Sequence, residues 1–260
     1  MASEWETLVD DLEAESAVVR AAIEHVDDSA WDRPSPAEGW TLRDCVVHLA
    51  ETDDSATAGV LGEELVRNGR REGVLTPGML RGRSLTPDEV REWYRSSNAR
   101  LIAALRALKG DERLTWAGRA MSARSFTTAR LMEHWSHGLD ILETAGVPAV
   151  DTDRLRHIAL LGHLTRDFAY RTHGLEPPTT ALYVELTAPS GATWRFGPPD
   201  APDRIFGSAG DFCRVVTQRI HPDDTSLRSE GPHAREFLSI AQAFAGPPGA
   251  GRPPRSEPRA

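Results

Sequence analysis

Glu133 and His137 are the residues whose types and spacing first point to chemistry. They lie in the stretch LMEHWSHGLD, inside a run of apolar residues at helical spacing that predicts a helix from Ser125 to Ala145. On a helix, side chains four residues apart project from the same face, one turn above the other. A carboxylate oxygen and a neutral imidazole nitrogen are both good ligands for zinc-class divalent cations. The pair therefore supplies two ligands of a candidate metal site.

His48 is the candidate for the third ligand. It belongs to a second predicted helix, which begins with the capping box Thr41 to Asp44 and runs to about Val66. This capped start directs His48 toward the core of a helical bundle, where a buried imidazole needs a polar partner. We therefore predict a cation held by two imidazoles and one carboxylate, with coordination positions open to water or substrate. The alternative is a solvated Glu133–His137 pair beside an ordinary core histidine.

Polar neighbours of these residues have simpler interpretations. His134 follows Glu133 directly and points about 100° away from it, so we expect it to face solvent. Asp140 is either an acceptor that orients His137 or a surface acid. Cys45 is interpreted as a small buried hydrophobe, with a role as nucleophile or ligand left as the alternative.

The helical pattern of the first 150 residues predicts the scaffold. Residues Trp5 to Val26 form an amphipathic helix, and Thr86 caps a helix that starts at Pro87 and continues until Gly110. The segment 68–82 and the residues between this helix and Ser125 are predicted to be loops. Four long helices joined by loops predict a four-helix bundle, a fold that builds metal sites from inward-facing side chains.

The remaining residues predict a small α+β domain. A helix over 153–173 is followed by a hairpin of Thr180 to Thr187 with Ala192 to Phe196, because a Pro-Ser-Gly turn separates two β-prone runs. Helices over 208–220 and 233–245 flank a short extended piece at 226–230. The resulting division is 1–150 for the helical bundle, 151–176 for a bridging helix, 177–246 for the α+β domain and 247–260 for a disordered tail rich in Pro, Gly and Arg.

Composition narrows the class of function. The 260 residues carry a formal net charge of −9, which argues against binding to nucleic acid or to an anionic membrane surface. The two cysteines have no CxxC spacing, so we expect a reducing, cytoplasmic location. The acidic N-terminus does not have the pattern of a signal peptide, and no apolar run approaches the roughly 18–20 residues of a membrane span. Phosphate loops, dinucleotide fingerprints and GxSxG elbows are absent from the sequence.

Two stretches carry a resemblance to a known family. Residues 38–49, reading EGWTLRDCVVHL, and residues 133–140, reading EHWSHGLD, resemble the DinB-like metal-binding family. Within it, the chain is most similar to the actinobacterial mycothiol-dependent maleylpyruvate isomerase group. Residues 205–214 and 242–246 resemble the sterol-carrier-like C-terminal domain of that group.

The resemblance implies a metal-dependent enzyme. It implies a divalent cation, usually Zn²⁺ with Ni²⁺ and Fe²⁺ as alternatives, bound at the positions of His48, Glu133 and His137. It also implies mycothiol as cofactor or co-substrate, used to isomerise or S-conjugate a small electrophilic metabolite. The group uses an arginine of its C-terminal domain, for which Arg219 and Arg214 are the candidates, although a surface ion pair is the simpler interpretation of both.

Two other functions stay open at this point. One is a metal-dependent enzyme that needs no thiol and uses the cation as a Lewis acid for cyclisation, elimination or hydrolysis. The other is a non-catalytic protein that binds a small ligand in its C-terminal domain. All three hypotheses predict a small-molecule partner and a protein that is a monomer or a homodimer.

Overall fold

The computed structural model of the chain describes residues 3–63, 75–116, 119–249 and 251–255. The chain divides into two compact units, Met1–Ala149 and Val150–Ala260. The first is mainly helical and the second contains a small sheet, as the sequence predicts. Among the described residues, no helix combines the length and the apolar character needed to cross a bilayer.

Four long helices form the bundle of the first unit, with a short helix and a hairpin in their connections. The bounds are α1 (Glu4–Glu24), α2 (Leu42–Leu61), α3 (Pro77–Gly82), α4 (Pro87–Arg106), β1 (Arg113–Trp116), β2 (Arg119–Ser122) and α5 (Ala123–Ala145). Helix α2 packs against α4 and α5, and α1 packs against the same two helices from the other side. The faces of α2 and α5 that meet are therefore the ones that can hold a shared site.

Local signals fix where the long helices begin and end. The predicted capping boxes at Thr41 and Thr86 both form, and Ser122 caps α5 by accepting a hydrogen bond from the backbone amide of Ser125. Helix α5 ends at Gly146, whose left-handed φ of 69° only glycine adopts readily. Helix α2 ends earlier than predicted, because Gly62 takes a left-handed conformation directly after Leu61. The predicted end near Val66 lies outside the described residues.

Two connections that the sequence assigned to loops contain regular structure. Thr76 caps α3, and Glu51 of α2 accepts hydrogen bonds from the Thr76 hydroxyl and from the backbone amide of Gly78. At the other end of α3, a Cβ on Gly82 would come within 2.4 Å of Val47, so only glycine allows this packing. Strands β1 and β2 form an antiparallel hairpin that leads directly into α5. Helix α3 and the β1–β2 hairpin therefore keep these two connections close to the bundle.

Apolar side chains from α1 to α5 fill the centre of the bundle. Trp31 and Tyr94 are among its largest fully buried members. Each fully buried large apolar side chain contributes roughly 1.5–3 kcal/mol relative to exposure. Residues of this core include Val19, Ile23, Leu42, Val46, Leu49, Met79, Val90 and Ile141. The site described below is built into one side of this packed core.

The second unit is a four-stranded mixed sheet with helices. The elements are α6 (Leu155–Leu164), α7 (Arg166–Thr172), β3 (Leu182–Thr187), β4 (Thr193–Phe196), β5 (Asp203–Ser208), α8 (Ala209–Val216), β6 (Arg228–Glu230) and α9 (Pro232–Ile240). The strand order is β4-β3-β5-β6, with β3 and β5 parallel and the other pairs antiparallel. The predicted β3–β4 hairpin is confirmed.

Several predictions for this unit are wrong in detail. The single bridging helix over 151–176 is two helices, because the chain leaves helical geometry at Thr165, whose hydroxyl donates back to the carbonyl of Leu161. Strand β5 was not predicted. Helix α8 ends at Val216 rather than near Ile220, and Gln218 follows with a positive φ of 58°. Helix α9 ends at Ile240, five residues before its predicted end.

The C-terminal tail has contacts where disorder was predicted. The side-chain amide of Gln242 donates to the carbonyl oxygen of Pro247 at 3.2 Å. The backbone amide of Arg255 donates to the carboxylate of Asp224 at 2.9 Å. Residues 256–260 lie outside the described part of the chain.

Candidate metal centre

His48 stands on the second turn of α2 and faces α5. Only 4% of the residue is exposed, and its neighbours Val46, Val47 and Leu49 are fully buried. The capping box of Thr41 fixes the start of α2 and thereby the direction in which His48 points. A polar ring in this position requires a partner from a neighbouring helix.

Glu133 and His137 of α5 supply that partner. Oε2 of Glu133 lies 3.1 Å from Nε2 of His48 and 3.6 Å from Nε2 of His137. One ligand atom from each of the three residues lies within 4.8 Å of the other two. The structure therefore brings the three predicted side chains together from two helices that are distant in sequence.

The donor set fits a zinc-class cation. Ligand bonds of about 2.0–2.1 Å in a tetrahedral arrangement place two ligand atoms about 3.3 Å apart. The two distances from Glu133 Oε2 fall on either side of this value. Two imidazoles and one carboxylate are also the ligand composition of catalytic zinc sites, which leave further positions for exchangeable ligands.

Asp140 lies where it can orient His137. Its Oδ2 is 3.3 Å from Nδ1 of His137, and its side chain is fully buried. A carboxylate that faces Nδ1 favours the tautomer with the proton on Nδ1 and leaves the lone pair of Nε2 directed toward Glu133. Such a partner raises the basicity of a ligating imidazole and fixes its tautomer.

Trp40 forms a wall beside both imidazoles. Its ring stacks on that of His137 with centroids 5.3 Å apart and an interplanar angle of 17°. The same indole lies 5.0 Å from the ring of His48 in a tilted arrangement. The contact restricts the orientations of both rings and covers one side of the donor set with apolar surface.

Cys45 belongs to a second, overlapping group of donors. Ligand atoms of Cys45, His137 and Asp140 also lie within 4.8 Å of one another. The Cys45 and Asp140 side chains are buried, and the Cys45 thiol donates to the hydroxyl of Ser35 at 3.3 Å. Glu133 and His137 retain side-chain exposures of 17% and 13%, so the first group is the one that an exchangeable ligand reaches more readily.

The prediction that His134 faces solvent is wrong. Its side chain is fully buried, with Nε2 3.0 Å from Asp53 Oδ1 and Nδ1 3.0 Å from the hydroxyl of Tyr94. Helix α5 packs against α1 as well as α2, so a side chain turned away from Glu133 enters another interface. Ser16 of α1 lies 3.3 Å from Nδ1 of His134, and a Cβ on Gly138 would come within 3.3 Å of Val19.

Asp53 connects α2 to α5 and α4 within this buried region. It accepts hydrogen bonds from Arg130 at 2.8 Å and from Asn98 at 3.1 Å, besides its contact with His134. Burial alone would raise the pKa of this carboxyl, but electrostatic attraction to His134 and Arg130, together with hydrogen bonds from His134 and Asn98, outweighs burial and lowers the pKa to about 2. Asp53 is therefore ionised at neutral pH. The sequence signal for these buried polar contacts was a set of charged residues at helix positions that face the core.

The two candidate arginines lie in the second unit. Arg214 of α8 forms a two-pronged ion pair with Asp151, with N–O distances of 2.7 and 2.8 Å. A Cβ on Gly210 would come within 2.1 Å of the Asp151 carboxylate, so glycine at this position permits the pair. Arg219 donates from Nη1 to the carbonyl oxygen of Thr217 at 2.8 Å. A catalytic role of either arginine stays a prediction.

Comparisons with known proteins identify the family. Residues 12–142 match the family described as the mycothiol maleylpyruvate isomerase N-terminal domain, which is half of the chain. The chain belongs to this family. The matched range contains α2 and all of α5 up to Leu142, and therefore all three donors.

Two relatives match nearly the whole chain. Two uncharacterized proteins from strains of Mycobacterium tuberculosis, Rv0036c and MT0041, are each 42% identical over 250 residues. These alignments cover 94% of this chain and 97% of each relative. The likeness therefore extends through the second unit.

Two solved structures share the fold of this chain. The crystal structure of a mycothiol-dependent maleylpyruvate isomerase superposes with a TM-score of 0.58 at 22% identity, covering 88% of this chain and 95% of that one. A histidine-to-alanine mutant of a mycothiol-dependent maleylpyruvate isomerase gives a TM-score of 0.55 at 20% identity with the same coverage. At these identities the likeness shows a common fold.

Proposed function

We propose that this protein is an enzyme that uses a low-molecular-weight thiol such as mycothiol to isomerise or S-conjugate a small electrophilic metabolite. In this proposal a divalent cation, Zn²⁺ in the first instance, is bound by His48, Glu133 and His137. The observation that carries the proposal is the convergence of these three donors within 4.8 Å. Membership of the mycothiol maleylpyruvate isomerase N-terminal domain family supports the choice of a thiol.

The chemistry of the bound groups follows from general principles. When bound, the cation supplies a Lewis acid that lowers the pKa of a coordinated thiol, and the thiol supplies a nucleophile that adds reversibly to an activated double bond. Addition of such a thiol would convert the double bond of the substrate to a single bond that can rotate, and loss of the same thiol would then give the other geometric isomer. Retention of the adduct gives S-transfer instead.

The residues of the chain prepare the site for this chemistry. The carboxylate of Asp140 lies 3.3 Å from Nδ1 of His137 and favours a proton on that nitrogen, so that Nε2 stays available as a ligand. The indole of Trp40 excludes water from one side of the two imidazoles. Glu133 brings one negative charge to two neutral rings, so a bound divalent cation keeps a net positive charge that favours an anionic thiolate.

An activity assay with matched variants tests the proposal. Purified protein loaded with Zn²⁺ is mixed with mycothiol and maleylpyruvate, and the conversion of this cis isomer to the trans isomer is followed together with thiol consumption. A general thiol-reactive electrophile is assayed in parallel, so that the test does not depend on maleylpyruvate being the substrate. Chelation and the His48→Ala and His137→Ala substitutions are expected to abolish turnover. His25→Ala, at an exposed residue of the same unit, is expected to leave turnover unchanged.

The outcomes separate the two enzyme functions considered and test the assignment of the site. Thiol-dependent turnover that disappears after chelation supports the proposal. Full turnover of a metabolite without any thiol would support Lewis-acid catalysis alone. Thiol-dependent turnover that survives both chelation and the two histidine substitutions would contradict the assignment of the site.

A further inference from the structure

We infer that a buried polar cluster positions the metal donors by fixing α2 against α5. This cluster, called the brace below, consists of Thr52, Asp53, Asn98, Arg130 and His134. The inference rests on the proposed function, because it assigns the brace a role in cation binding at His48, Glu133 and His137. None of these five residues supplies a ligand atom to that donor set.

On α2, the brace reaches the backbone of a metal donor directly. The hydroxyl of Thr52, one turn beyond His48, donates to the carbonyl oxygen of His48 at 2.6 Å. The same hydroxyl accepts a hydrogen bond from Nη2 of Arg130 at 3.0 Å. A side chain of α5 is thereby connected to the backbone of His48 through a single oxygen atom.

On α5, the brace holds both sides of Glu133. Arg130 lies three residues before Glu133 and donates to Asp53 Oδ1 at 2.8 Å. His134 lies one residue after Glu133 and contacts both oxygens of the same carboxylate, at 3.0 and 3.1 Å. Asp53 therefore fixes the turn of α5 that presents Glu133 toward His48.

A third helix closes the brace. The amide of Asn98 on α4 donates to Asp53 Oδ2 at 3.1 Å and to the hydroxyl of Ser16 on α1 at 3.0 Å. Three helices thus meet at one carboxylate whose side chain is fully buried, and α1 joins them through Ser16. The relative position of α2 and α5 is set from several directions and not by one contact.

The energetic cost of burying charged groups indicates that the brace fixes the relative position of the helices more than it stabilises the fold. Burying charged groups costs several kcal/mol per ion, and apolar side chains of similar volume often stabilise a core as well or better. A metal site, in contrast, requires ligand distances within about 0.2 Å of their ideal values. A network of directed hydrogen bonds fixes the axial register of two helices more sharply than apolar packing does. The brace lies one turn from the donors, where such register control has the greatest effect on them.

Substitutions of two threonines on α2 test this inference. Thr52→Val keeps the shape of the side chain and removes the hydroxyl that connects His48 to Arg130. Thr57→Val is the matched control, because the hydroxyl of Thr57 makes the same kind of bond, to the backbone carbonyl of Asp53 at 2.8 Å, one turn farther from the site. We expect Thr52→Val to weaken Zn²⁺ affinity about tenfold, Thr57→Val to change it less than twofold, and Thr52→Ser to restore it. Affinity is measured on the full chain by competition with a chromophoric chelator.

A spectroscopic measurement separates positioning from general loss of stability. The visible absorption bands of bound Co²⁺ report the coordination geometry, which a change in stability alone does not alter. We expect Thr52→Val and Asp53→Asn to shift these bands. We expect Leu101→Ala, a cavity-forming substitution in the core, to leave the bands unchanged although it lowers the free energy of unfolding.

The results decide the inference independently of the proposed function. A wild-type chain that binds one cation, with a Thr52→Val variant of equal affinity and spectrum, would overturn the brace and leave the proposed function intact. Equal losses in Thr52→Val and Thr57→Val would also overturn it. A wild-type chain that binds no cation would overturn both.

Discussion

Replacing Asp53 by Asn removes the carboxylate on which Arg130 and His134 converge in the bundle core. The pKa of Asp53 falls from an ordinary 3.8 to about 2 in the folded protein, although burial opposes this change. Each pKa unit corresponds to about 1.4 kcal/mol, so ionised Asp53 contributes roughly 2 kcal/mol to the free energy of unfolding. Removing one partner of a buried ion pair costs roughly 3–5 kcal/mol in other proteins. We therefore expect Asp53→Asn to lower the free energy of unfolding by at least about 2 kcal/mol at pH 7.

The pH dependence of this loss gives a second, independent signature. The pKa is lower in the folded than in the unfolded chain, so the contribution of Asp53 is complete above the unfolded pKa and disappears as the pH falls toward 2. The stability difference between the wild type and Asp53→Asn should therefore narrow as the pH is lowered from about 5 to about 2. Urea unfolding followed by tryptophan fluorescence suits this test, because Trp194 is the only one of seven tryptophans in the second unit.

Asp54→Asn is the matched control for this experiment. The Asp54 carboxylate accepts hydrogen bonds from Trp93 and Arg100, both at 2.7 Å, and its side chain is 38% exposed. The two donors bind different oxygens, so the amide oxygen of the variant keeps only one of the two bonds, but water can replace the other at this partly exposed position and we expect a loss below about 1 kcal/mol. A variant Asp53→Asn as stable as Asp54→Asn, or a stability difference that does not change between pH 5 and pH 2, would refute the reasoning.

The remaining predictions concern the donors and their surroundings. Asp140→Asn removes the charge that orients His137, so we expect about tenfold weaker Zn²⁺ binding in a chelator competition, with Glu143→Gln as the control on an exposed position of α5. An unchanged affinity would contradict the role of Asp140. Because Trp40 stacks on the His137 ring, we expect Zn²⁺ binding to change the tryptophan emission of the wild type. The Trp40→Phe variant should lose most of that change while its affinity falls less than threefold; an undiminished emission change would argue against Trp40 as the reporter.

The long helices of the first unit could be predicted because their signals are local. The capping boxes at Thr41 and Thr86 and the glycine at 146 each act within one turn of the chain. These signals place His48 and the Glu133–His137 pair on the correct faces, and the packing of α2 against α5 follows from a bundle topology. The close approach of the three donors was therefore predictable.

Features that depend on tertiary neighbours were missed. A helical wheel shows that His134 turns away from Glu133, but it does not show that α1 covers that second face of α5. Strand β5 was not predicted because its six residues begin with two charged side chains and end with Gly207 and Ser208, so its apolar content is low. Its burial and its parallel pairing with β3 come from the sheet around it. Helix α3 likewise depends on Glu51, a residue of another element.

Zinc K-edge X-ray absorption of the metal-loaded protein shows directly whether His48, Glu133 and His137 bind one cation through nitrogen and oxygen atoms. We expect one Zn²⁺ per chain, an inner shell of nitrogen and oxygen at about 2.0–2.1 Å with multiple scattering from two imidazoles, and loss of one imidazole in His48→Ala. A protein-derived sulfur ligand at about 2.3 Å in the absence of added thiol would instead identify Cys45 as a ligand. A sulfur ligand, or a spectrum that His48→Ala leaves unchanged, would contradict binding of the cation by His48, Glu133 and His137.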